Sequence, residues 1–419
     1  MLNPAHLCAL FALIAYSAYF WRIVLILALL GTASSTVFLG LALVAALRHL
    51  RLGRAQSQLA LQASRAVLPR VTIFKPLHGA EPKLEENLAS FFNQDYPDFE
   101  LVFGCRTAAD PALAIVERLR ARYPQVPARI VLSGEPRWPS AKVWSLDKMI
   151  AGCASDYLVI SDSDVLVRPD FLRNVIPPLF DPRNGLVTCL YQGVPAPDFW
   201  SRLEALGMSV EMSSGVMTAD MLEGMQFALG PVMAVRRDAL EKIGGIASTA
   251  EYYSDDFVLG NRVYLAGFRV VLSHYRVGHV LCTQSFRKTF ATQTRWMQST
   301  RYSRPKGHFG SGLTFAVPFG LLGLAAGLAL GHPRLGIALL AASLLNRILQ
   351  SVAIGYGVIG DPQALRLCWL YPLRDLLGFV TWMCSYFGGS SFHWRGDLYH
   401  FTPGGRIVNV ARARQAQPG

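Results

Sequence analysis

Tyr157-Leu-Val-Ile-Ser-Asp162-Ser-Asp164 is the stretch that decides the fold: an apolar run that ends in two carboxylates two positions apart. Such a run is typical of a buried strand, and ligands of α/β sheets bind beyond the carboxyl ends of strands. Asp162 and Asp164 can direct oxygens toward one Mg²⁺ or Mn²⁺, because these hard cations prefer carboxylate ligands and also bind diphosphate oxygens. Taken alone, the pair is equally typical of an ordinary polar loop after a strand.

Short β-prone runs alternate with helical stretches between residues 70 and 290. The β-prone runs cover positions 71–74, 100–105, 128–132, 157–161, 185–191 and 269–273, and helical periodicity covers 111–123 and 145–151. This alternation predicts an α/β domain with a mostly parallel sheet. Lys75, Asp162 and Asp164 follow two of the strands, so we expect them at one edge of the sheet.

The N-terminal region predicts a membrane anchor over residues 1–50. Positions 23–47 form 25 residues without a charge, which as a helix exceed the ~30 Å of a bilayer core. No acidic residue precedes Glu81, and five arginines follow the apolar run: Arg48, Arg51, Arg54, Arg65 and Arg70. This excess places the following domain on the cytosolic side. Residues 1–22 suit a second span, a signal-like segment or a misassigned start codon.

The C-terminal third is apolar again. Positions 313–331, 335–359 and 367–388 are candidate membrane segments within 311–390, interrupted by Arg347, Arg374 and Asp375. Charges at membrane depth usually face protein or water. The linker at 291–310 combines Trp296 and Tyr302 with basic residues, which predicts a helix in the membrane interface. Residues 391–419 form a C-terminal tail.

Composition narrows the class of protein. The chain has 52% hydrophobic and 16% charged residues and a formal charge of +12. The arginines cluster beside the apolar segments, so anionic lipid head groups explain the charge better than nucleic acid does. The seven cysteines occur singly, without a CxxC pair, which indicates neither a disulfide framework nor a zinc site and suits a reducing compartment.

A second acidic pair, Asp255-Asp256, follows Tyr253-Ser254. The pair is also typical of a helix N-terminus, where free amides and the dipole favour Asp. A carboxylate within hydrogen-bond reach of a hydroxyl can act as a general base, and Asp256 is our candidate. Further along, Arg295 can bind a diphosphate, and Trp296 can pack against a sugar or anchor in the interface.

Other residues have simpler explanations. Single histidines near strand ends are more often structural than catalytic; these are His78, His274 and His279. A run of methionines recurs at mixed helical spacings and suits core packing better than a groove for a lipid; it comprises Met208, Met212, Met217, Met221 and Met225.

Several motifs together resemble a known family. Lys75-Pro-Leu-His-Gly79, Asp162-Ser-Asp164, Asp255-Asp256 and Arg295-Trp296, in this order and spacing, are similar to the processive-type family-2 glycosyltransferase pattern. The chain in particular resembles the ceramide glucosyltransferase family, through the runs 91–97, 109–112 and 230–237 and the closing Trp394-Arg395-Gly396. The similarity extends from about residue 70 to residue 405.

The resemblance implies an α/β domain of the GT-A type, with membrane helices on both sides, that uses a UDP-sugar. Asp110 would contact the uracil or ribose, and Lys75 and Lys142 would lie near the donor. Asp162 and Asp164 would hold Mg²⁺ or Mn²⁺ with the diphosphate. Asp256 would be the catalytic base of an inverting reaction. Arg295 and Trp296 would lie beside the diphosphate.

The chain departs from the family pattern in two places. Thr292 stands where the family has Gln or Arg four residues before the Trp, with Gln293 one step later, so the role of Gln293 is open. Within positions 141–146, Lys142 is the one residue whose role in the family can be assigned to this chain.

The sequence leaves open which lipid is the acceptor and which UDP-sugar is the donor. Residues 296–307 resemble the bacterial hopanoid-pathway branch, so the acceptor is expected to be a bacteriohopanetetrol-like hopanoid or ceramide and the donor UDP-N-acetylglucosamine or UDP-glucose. We expect a multi-pass protein of a bacterial inner membrane. Alternatives are a polysaccharide synthase, a nucleotidyl- or phosphoryl-transferase, and a membrane protein that binds a nucleotide sugar without catalysis.

Overall fold

The computed structural model describes residues 4–63, 68–394 and 397–410. Arg65, Arg395 and Gly396, together with the two chain ends at 1–3 and 411–419, lie outside these ranges. Within the described ranges, a central sheet and its helices are followed by apolar helices and a small C-terminal sheet.

The central sheet has eight strands in the order β3-β2-β1-β4-β7-β6-β8-β5. A second, antiparallel sheet has the order β11-β10-β9. The strands are β1 Val71–Pro76, β2 Phe99–Cys105, β3 Ala128–Leu132, β4 Tyr157–Ser161, β5 Val165–Leu166, β6 Asn184–Val194, β7 Val232–Arg236, β8 Arg269–Val280, β9 Ser391–Trp394, β10 Asp397–Thr402 and β11 Arg406–Asn409.

The central sheet is mixed, whereas the sequence pattern predicts a mostly parallel one. Strands β1 to β4 pair in parallel, as do β6 and β8. Strand β7 runs antiparallel to both β4 and β6, and β5 runs antiparallel to β8. The sequence pattern does not predict β7, because its five residues run directly into a helix and give little periodicity.

Helices pack against the central sheet and form the apolar part of the chain. They are α1 Pro4–Ala63, α2 Leu84–Phe92, α3 Ala112–Arg122, α4 Ala141–Ala151, α5 Phe171–Val175, α6 Phe199–Leu206, α7 Ser213–Glu223, α8 Arg237–Lys242, α9 Asp255–Leu265, α10 Phe286–Ser303, α11 Pro305–Gly312, α12 Val317–Ala329, α13 Pro333–Gln350, α14 Pro362–Arg366 and α15 Tyr371–Phe387. Side-chain caps fix four of the starts among the described helices, because an oxygen of Ser140, Asp198, Ser285 or Asp361 accepts a backbone N–H of the first turn of α4, α6, α10 or α14.

Among the described residues, two helical stretches are long and apolar enough to cross a membrane: Ala18–Gln58 and Pro333–Tyr356. A third is possible if α11 and α12, which meet at a bend of 44°, count as one span. The predicted span at 23–47 lies inside the first stretch, and the backbone from Pro4 onward continues in the same helix. The predicted segment at 367–388 contains the 17-residue helix α15.

The predicted interfacial region at 291–310 is helical and packs against α15. Gln298 donates hydrogen bonds to the carbonyls of Gly388 and Gly389, and Arg301 donates to those of Ser385 and Tyr386. These bonds fix α10 against α15 on one side, and whether its other side meets lipid stays a prediction.

Candidate active site

The two acidic pairs meet because of the register of β4 and β7. Ser161 at the end of β4 pairs with Val232 at the start of β7, so the turn before β7 lies beside Asp162. Thr188 holds this turn: its hydroxyl accepts the Leu229 N–H at 2.9 Å and donates to the Val232 carbonyl at 2.9 Å. The antiparallel strand therefore carries Gly230 to the edge where β1 and β4 end.

Helix α9 brings Asp256 to the same point. A Cβ on Gly230 would lie 3.0 Å from Oδ2 of Asp256 and 3.6 Å from Oδ2 of Asp162. Gly260 allows this approach, since a Cβ there would lie 2.2 Å from the Ala228 nitrogen. The absent side chain at Gly230 thus leaves space between the first and second acidic pairs.

Lys142 in the first turn of α4 links the two pairs. Its Nζ lies 2.7 Å from Oδ1 of Asp162 and 3.5 Å from Oδ2 of Asp255. Burial alone would lower the pKa of Lys142, but the two carboxylates raise it well above its ordinary value. Lys142 is therefore a permanent cation at the centre of the acidic site, which we define as Asp162, Asp164, Asp255, Asp256 and Lys142.

Asp256 has the properties of a general base. Burial, together with the negative charge of Asp255, raises the pKa of Asp256 to about 6. Its Oδ1 accepts the N–H of Phe257 at 2.7 Å, while Oδ2 faces Gly230. The group is therefore largely ionised at neutral pH and more basic than an ordinary aspartate.

Asp164 is held by the pairing of β5 with β8. The Asp164 carbonyl accepts the N–H of Val280 at 2.7 Å, and Oδ2 lies 3.6 Å from Nε2 of His279. Its buried Oδ1 has no hydrogen-bond partner within the part of the chain that is described. His279, which the sequence pattern suggests is structural, therefore lies against a candidate metal ligand.

These residues fit a divalent cation that also binds a ligand. Within residues 4–63, 68–394 and 397–410, no group of three or more His, Cys, Asp or Glu is arranged as a ready metal site. However, the unpaired oxygen of Asp164 and the space over Gly230 beside Asp162 suit Mg²⁺ or Mn²⁺, which commonly take one or two carboxylates and complete their shell with phosphate oxygens and water.

Lys75 lies beneath the acidic site and is fully buried. Its Nζ donates to Oγ of Ser161 at 3.2 Å and to the main-chain carbonyl of Asp162, and it lies 3.7 Å from the ring centre of Phe91. Burial lowers the pKa of Lys75 to about 7, although Asp162 and Asp164 oppose the shift. Lys75 thus supports the backbone of Asp162, and direct contact with a donor stays a prediction.

Asp110 closes a neighbouring loop. Its carboxylate accepts the Gly79 N–H at 3.0 and 3.2 Å and the Ala112 N–H at 2.9 Å. Gly79 has φ of 73°, a conformation that favours glycine. The carboxylate therefore fixes the loop that follows β1, and the predicted contact with uracil or ribose stays a prediction.

Arg295 and Trp296 lie on α10 next to the small C-terminal sheet. Nη1 of Arg295 donates to the His393 carbonyl at 3.4 Å, and the guanidinium also interacts with Tyr253, two residues before Asp255. The Trp296 side chain is 36% exposed. Gln293 is buried, and its Oε1 accepts a hydrogen bond from Nη2 of Arg374 at 3.0 Å.

Sequence reasoning named Gly230, His279 and Arg374 without giving them a role at this site, and it did not single out Glu204. The family-like run beginning at Gly230 and the strand-end position of His279 were signals for the first two. Glu204 and Arg374 lie 170 positions apart in the sequence and approach each other only through tertiary packing.

Solved structures that the chain matches include two complexes with nucleotide sugars. The mannosyltransferase PcManGT from Pyrobaculum calidifontis, in complex with GDP-Man and Mn²⁺, is 22% identical, with 83% of this chain and 99% of that chain covered and a TM-score of 0.43. S. aureus TarS 1-349 in complex with UDP-GlcNAc is 13% identical, with 81% and 98% covered and a TM-score of 0.37.

Curated relatives include ceramide glucosyltransferases. Ceramide glucosyltransferase 3 of Caenorhabditis elegans is 22% identical over 351 residues, 81% of this chain and 74% of the relative. Ceramide glucosyltransferase 1 of the same organism is 25% identical over 49% of this chain, and the match spans 44% of that relative. The ceramide glucosyltransferase of Komagataella phaffii is 38% identical over 102 residues, 23% of this chain and 20% of the relative.

The predicted resemblance to ceramide glucosyltransferases is therefore confirmed, and the structure contains the predicted α/β domain with apolar helices before and after it. The model of the family described as "Glycosyl transferase family 21" matches residues 8–407. This match extends from within α1 to the last strand of the small sheet. The chain belongs to glycosyl transferase family 21.

Proposed function

We propose that this chain is an inverting, membrane-embedded glycosyltransferase that moves a sugar from a UDP-sugar to a lipid hydroxyl. The observation that supports this most directly is the acidic site: a basic carboxylate, Asp256, faces the candidate metal ligand Asp162 across the side-chain-free position Gly230. Asp256 can then activate the acceptor while Asp162, a few ångströms away, helps to stabilise the leaving group.

The reaction is a single in-line displacement. The carboxylate of Asp256 accepts the proton of the lipid hydroxyl as its oxygen forms a bond to C1 of the sugar, and the bond from C1 to the diphosphate oxygen breaks to release UDP. Asp162 and Asp164 would hold Mg²⁺ or Mn²⁺, which would offset charge on the departing diphosphate. Lys142 keeps Asp162 and Asp255 in place and contributes a fixed positive charge.

Supporting residues hold the donor side rigid. Lys75 fixes the backbone of Asp162 from below, and Asp110 fixes the loop after β1. Arg295 carries a positive charge on the side of Tyr253 and Asp255, where a diphosphate oxygen can accept its hydrogen bonds. Trp296 lies next to it with an exposed face that can contact the sugar.

The membrane helices support a lipid acceptor. Arginines follow the apolar part of α1 at Arg48, Arg51 and Arg54, which favours a cytosolic catalytic domain in a multi-pass protein of a bacterial inner membrane. Nucleotide sugars and the head groups of membrane lipids would then meet on the same side of the bilayer. Ceramide or a polyhydroxylated hopanoid, with UDP-glucose or UDP-N-acetylglucosamine, is the substrate pair that we propose.

One assay tests the proposal. The full chain, purified in detergent with Mg²⁺ or Mn²⁺, is incubated with each of the two UDP-sugars and with ceramide or bacteriohopanetetrol, and lipid products are identified by mass spectrometry. We expect a monoglycosylated lipid and stoichiometric UDP. Binding of UDP-sugar without any lipid product from either acceptor would contradict the proposal, and chains of more than one sugar would indicate a polysaccharide synthase instead.

A further inference from the structure

A narrow cleft lies between α6, α10 and α15, outside the acidic site. The space between its walls is narrow, with room of about 20 Å³, and it opens to solvent at the mouth. Its lining combines the apolar and aromatic side chains of Trp200, Leu203, Phe286, Phe290 and Leu377 with the polar side chains of Glu204, Thr289, Gln293, Arg374 and Thr381. Such a lining, with a few polar groups among the apolar side chains, is typical of a small-molecule site.

The polar groups of the cleft are incompletely satisfied. Glu204 and Thr289 are only 2% and 8% exposed, yet Oε2 of Glu204 and Oγ1 of Thr289 have no hydrogen-bond partner among the described residues. A chain of bonds orients Glu204: Arg374 donates to Gln293, and Gln293 interacts with the Glu204 side chain. Because buried polar groups are normally paired, these two oxygens are available for hydrogen bonds with a bound molecule.

A series of contacts through strands β6 and β8 links the cleft to the acidic site. Helix α6 packs on β6 so closely that a Cβ on Gly193 would lie 2.5 Å from Cα of Ala205. Gly193 pairs with His279 in the neighbouring strand, and Nε2 of His279 lies 3.6 Å from Asp164. Glu204, next to Ala205, also interacts electrostatically with His279.

The mouth of the cleft has an aromatic rim. Phe286 lines the cleft and is 47% exposed, and its ring lies 5.0 Å from that of Trp200. Phe199, which is 44% exposed, contacts Trp200 from outside the lining. Exposed aromatic side chains of this kind are typical of the level where a membrane meets water. Helix α15, which forms one wall, also packs against the apolar helices α12 and α13. An amphipathic molecule can therefore enter from the bilayer.

We propose that this cleft binds the acceptor as an amphipathic lipid, with an apolar chain along Trp200, Phe290 and Leu377 and an amide or hydroxyl hydrogen-bonded to Glu204 and Thr289. The inference rests on the proposed function and adds the place where the acceptor is recognised. It differs from a groove along the methionines of 208–225, because Met208, Met217 and Met225 belong to the main hydrophobic core. Glu204 and Thr289 act here as positioning residues.

The first test is binding without donor. The full chain in detergent is irradiated with a ceramide that carries a diazirine on its N-acyl chain, and labelled peptides are mapped by mass spectrometry. We expect label on peptides of α6, α10 and α15 and competition by unlabelled ceramide. Leu377→Trp should lower the labelling about tenfold by filling the cleft, whereas Leu373→Trp, at an exposed position of the same helix, should leave it unchanged.

The second test is kinetic. Glu204→Leu and Thr289→Val should each raise KM for the lipid about tenfold, with kcat and KM for the UDP-sugar within about twofold of the parent. Glu204→Gln should restore most of the lipid affinity, because an amide still accepts and donates hydrogen bonds.

The outcomes separate the two proposals. Label outside α6, α10 and α15 with unchanged lipid KM in all variants would overturn the cleft while leaving lipid transfer intact. Failure of the parent protein to glycosylate any lipid would overturn the proposed function. Label in the cleft of such an inactive protein would still support the cleft as a lipid site.

Discussion

The acidic site and the charged groups among the C-terminal helices both combine carboxylates with basic side chains, but the ratio of negative to positive charge differs. In the acidic site, Lys142 contacts two carboxylates, while the unpaired oxygen of Asp164 and the partly exposed Asp256 face space. Negative charge is in excess there. An excess of like charge costs stability, so it indicates a site that binds a cation or a proton.

The C-terminal charges are instead paired. Arg347 and Asp375 lie 3.2 Å apart with both side chains 3% exposed, and Asp375 also accepts the N–H groups of Ala316 and Val317. These bonds satisfy the start of α12 and join it to α13 and α15. Their role is structural. The comparison teaches that an excess of one charge distinguishes a reactive site from a packing device better than burial does, because both regions contain buried charged side chains.

The largest effect on the acidic side should come from Asp256→Asn. The amide cannot accept a proton from the acceptor hydroxyl, so we expect kcat for lipid transfer to fall about 10³-fold. The binding of UDP-sugar, measured by calorimetry, should change little. Asp98→Asn, at an exposed position, is the matched control. Transfer at the parental rate by Asp256→Asn would show that another group is the base.

The comparison also predicts opposite effects on stability. Arg347→Leu leaves the buried Asp375 carboxylate without its cation and should lower the free energy of unfolding by about 3–5 kcal/mol. Asp256→Asn relieves the repulsion between Asp255 and Asp256 and should leave stability unchanged or higher. Thermal unfolding in detergent measures both. An Arg347→Leu protein as stable as the parent would refute the structural role of this pair.

Donor binding should depend on the acidic site alone. Asp162→Ala should weaken the binding of UDP-sugar roughly 10- to 100-fold, since it removes a candidate metal ligand. EDTA should weaken binding by the parent protein to a similar degree, and added Mn²⁺ or Mg²⁺ should reverse the loss. Equal donor affinity with and without EDTA would exclude the metal from this account.

Gly230→Ala should have a smaller effect. The added Cβ would lie 3.0 Å from Oδ2 of Asp256 and enter the space between the acidic pairs. We expect about a tenfold loss of kcat/KM, a size typical of slightly misplaced groups. Gly215→Ala is the control, because a Cβ at Gly215 meets nothing within 4 Å. Equal losses for the two variants would argue against a specific role of Gly230.

The pH profile should show the smallest change. Because burial and Asp255 raise the pKa of Asp256 to about 6, protonation below that pH removes the base, and kcat/KM should fall about tenfold per pH unit on the acid side. Asp255→Asn removes a negative neighbour and should shift this limb to lower pH. A limb that does not move would mean that Asp255 is not the neighbour that tunes the base.

Much of the acidic site could be predicted from sequence. The apolar run before Asp162 identifies a buried strand, and acidic residues at a helix start identify Asp255 and Asp256, so local patterns determine both pairs. Their meeting point could not be predicted in this way, because it depends on β7, whose five residues pair in antiparallel register between two other strands. Gly230 acquires its role only from that register.

Other features depend on packing between distant segments. Lys75 follows the sequence pattern of a residue at a strand end, yet it is buried beneath Asp162 because Ser161 and the Asp162 carbonyl accept its hydrogen bonds. The cleft around Glu204 combines three helices that are separated in the chain by loops and strands. No periodicity within one helix indicates which side chains face a shared space.

The measurement that tests the central claim most directly is the anomeric configuration of the lipid product. An acceptor activated by Asp256 on the face opposite the diphosphate must invert C1, so an α-linked UDP-sugar should give a β-linked glycolipid, which proton NMR coupling at C1 identifies. A β-linked product supports direct displacement at the acidic site. An α-linked product would contradict it, because retention requires a different mechanism from a single attack assisted by Asp256.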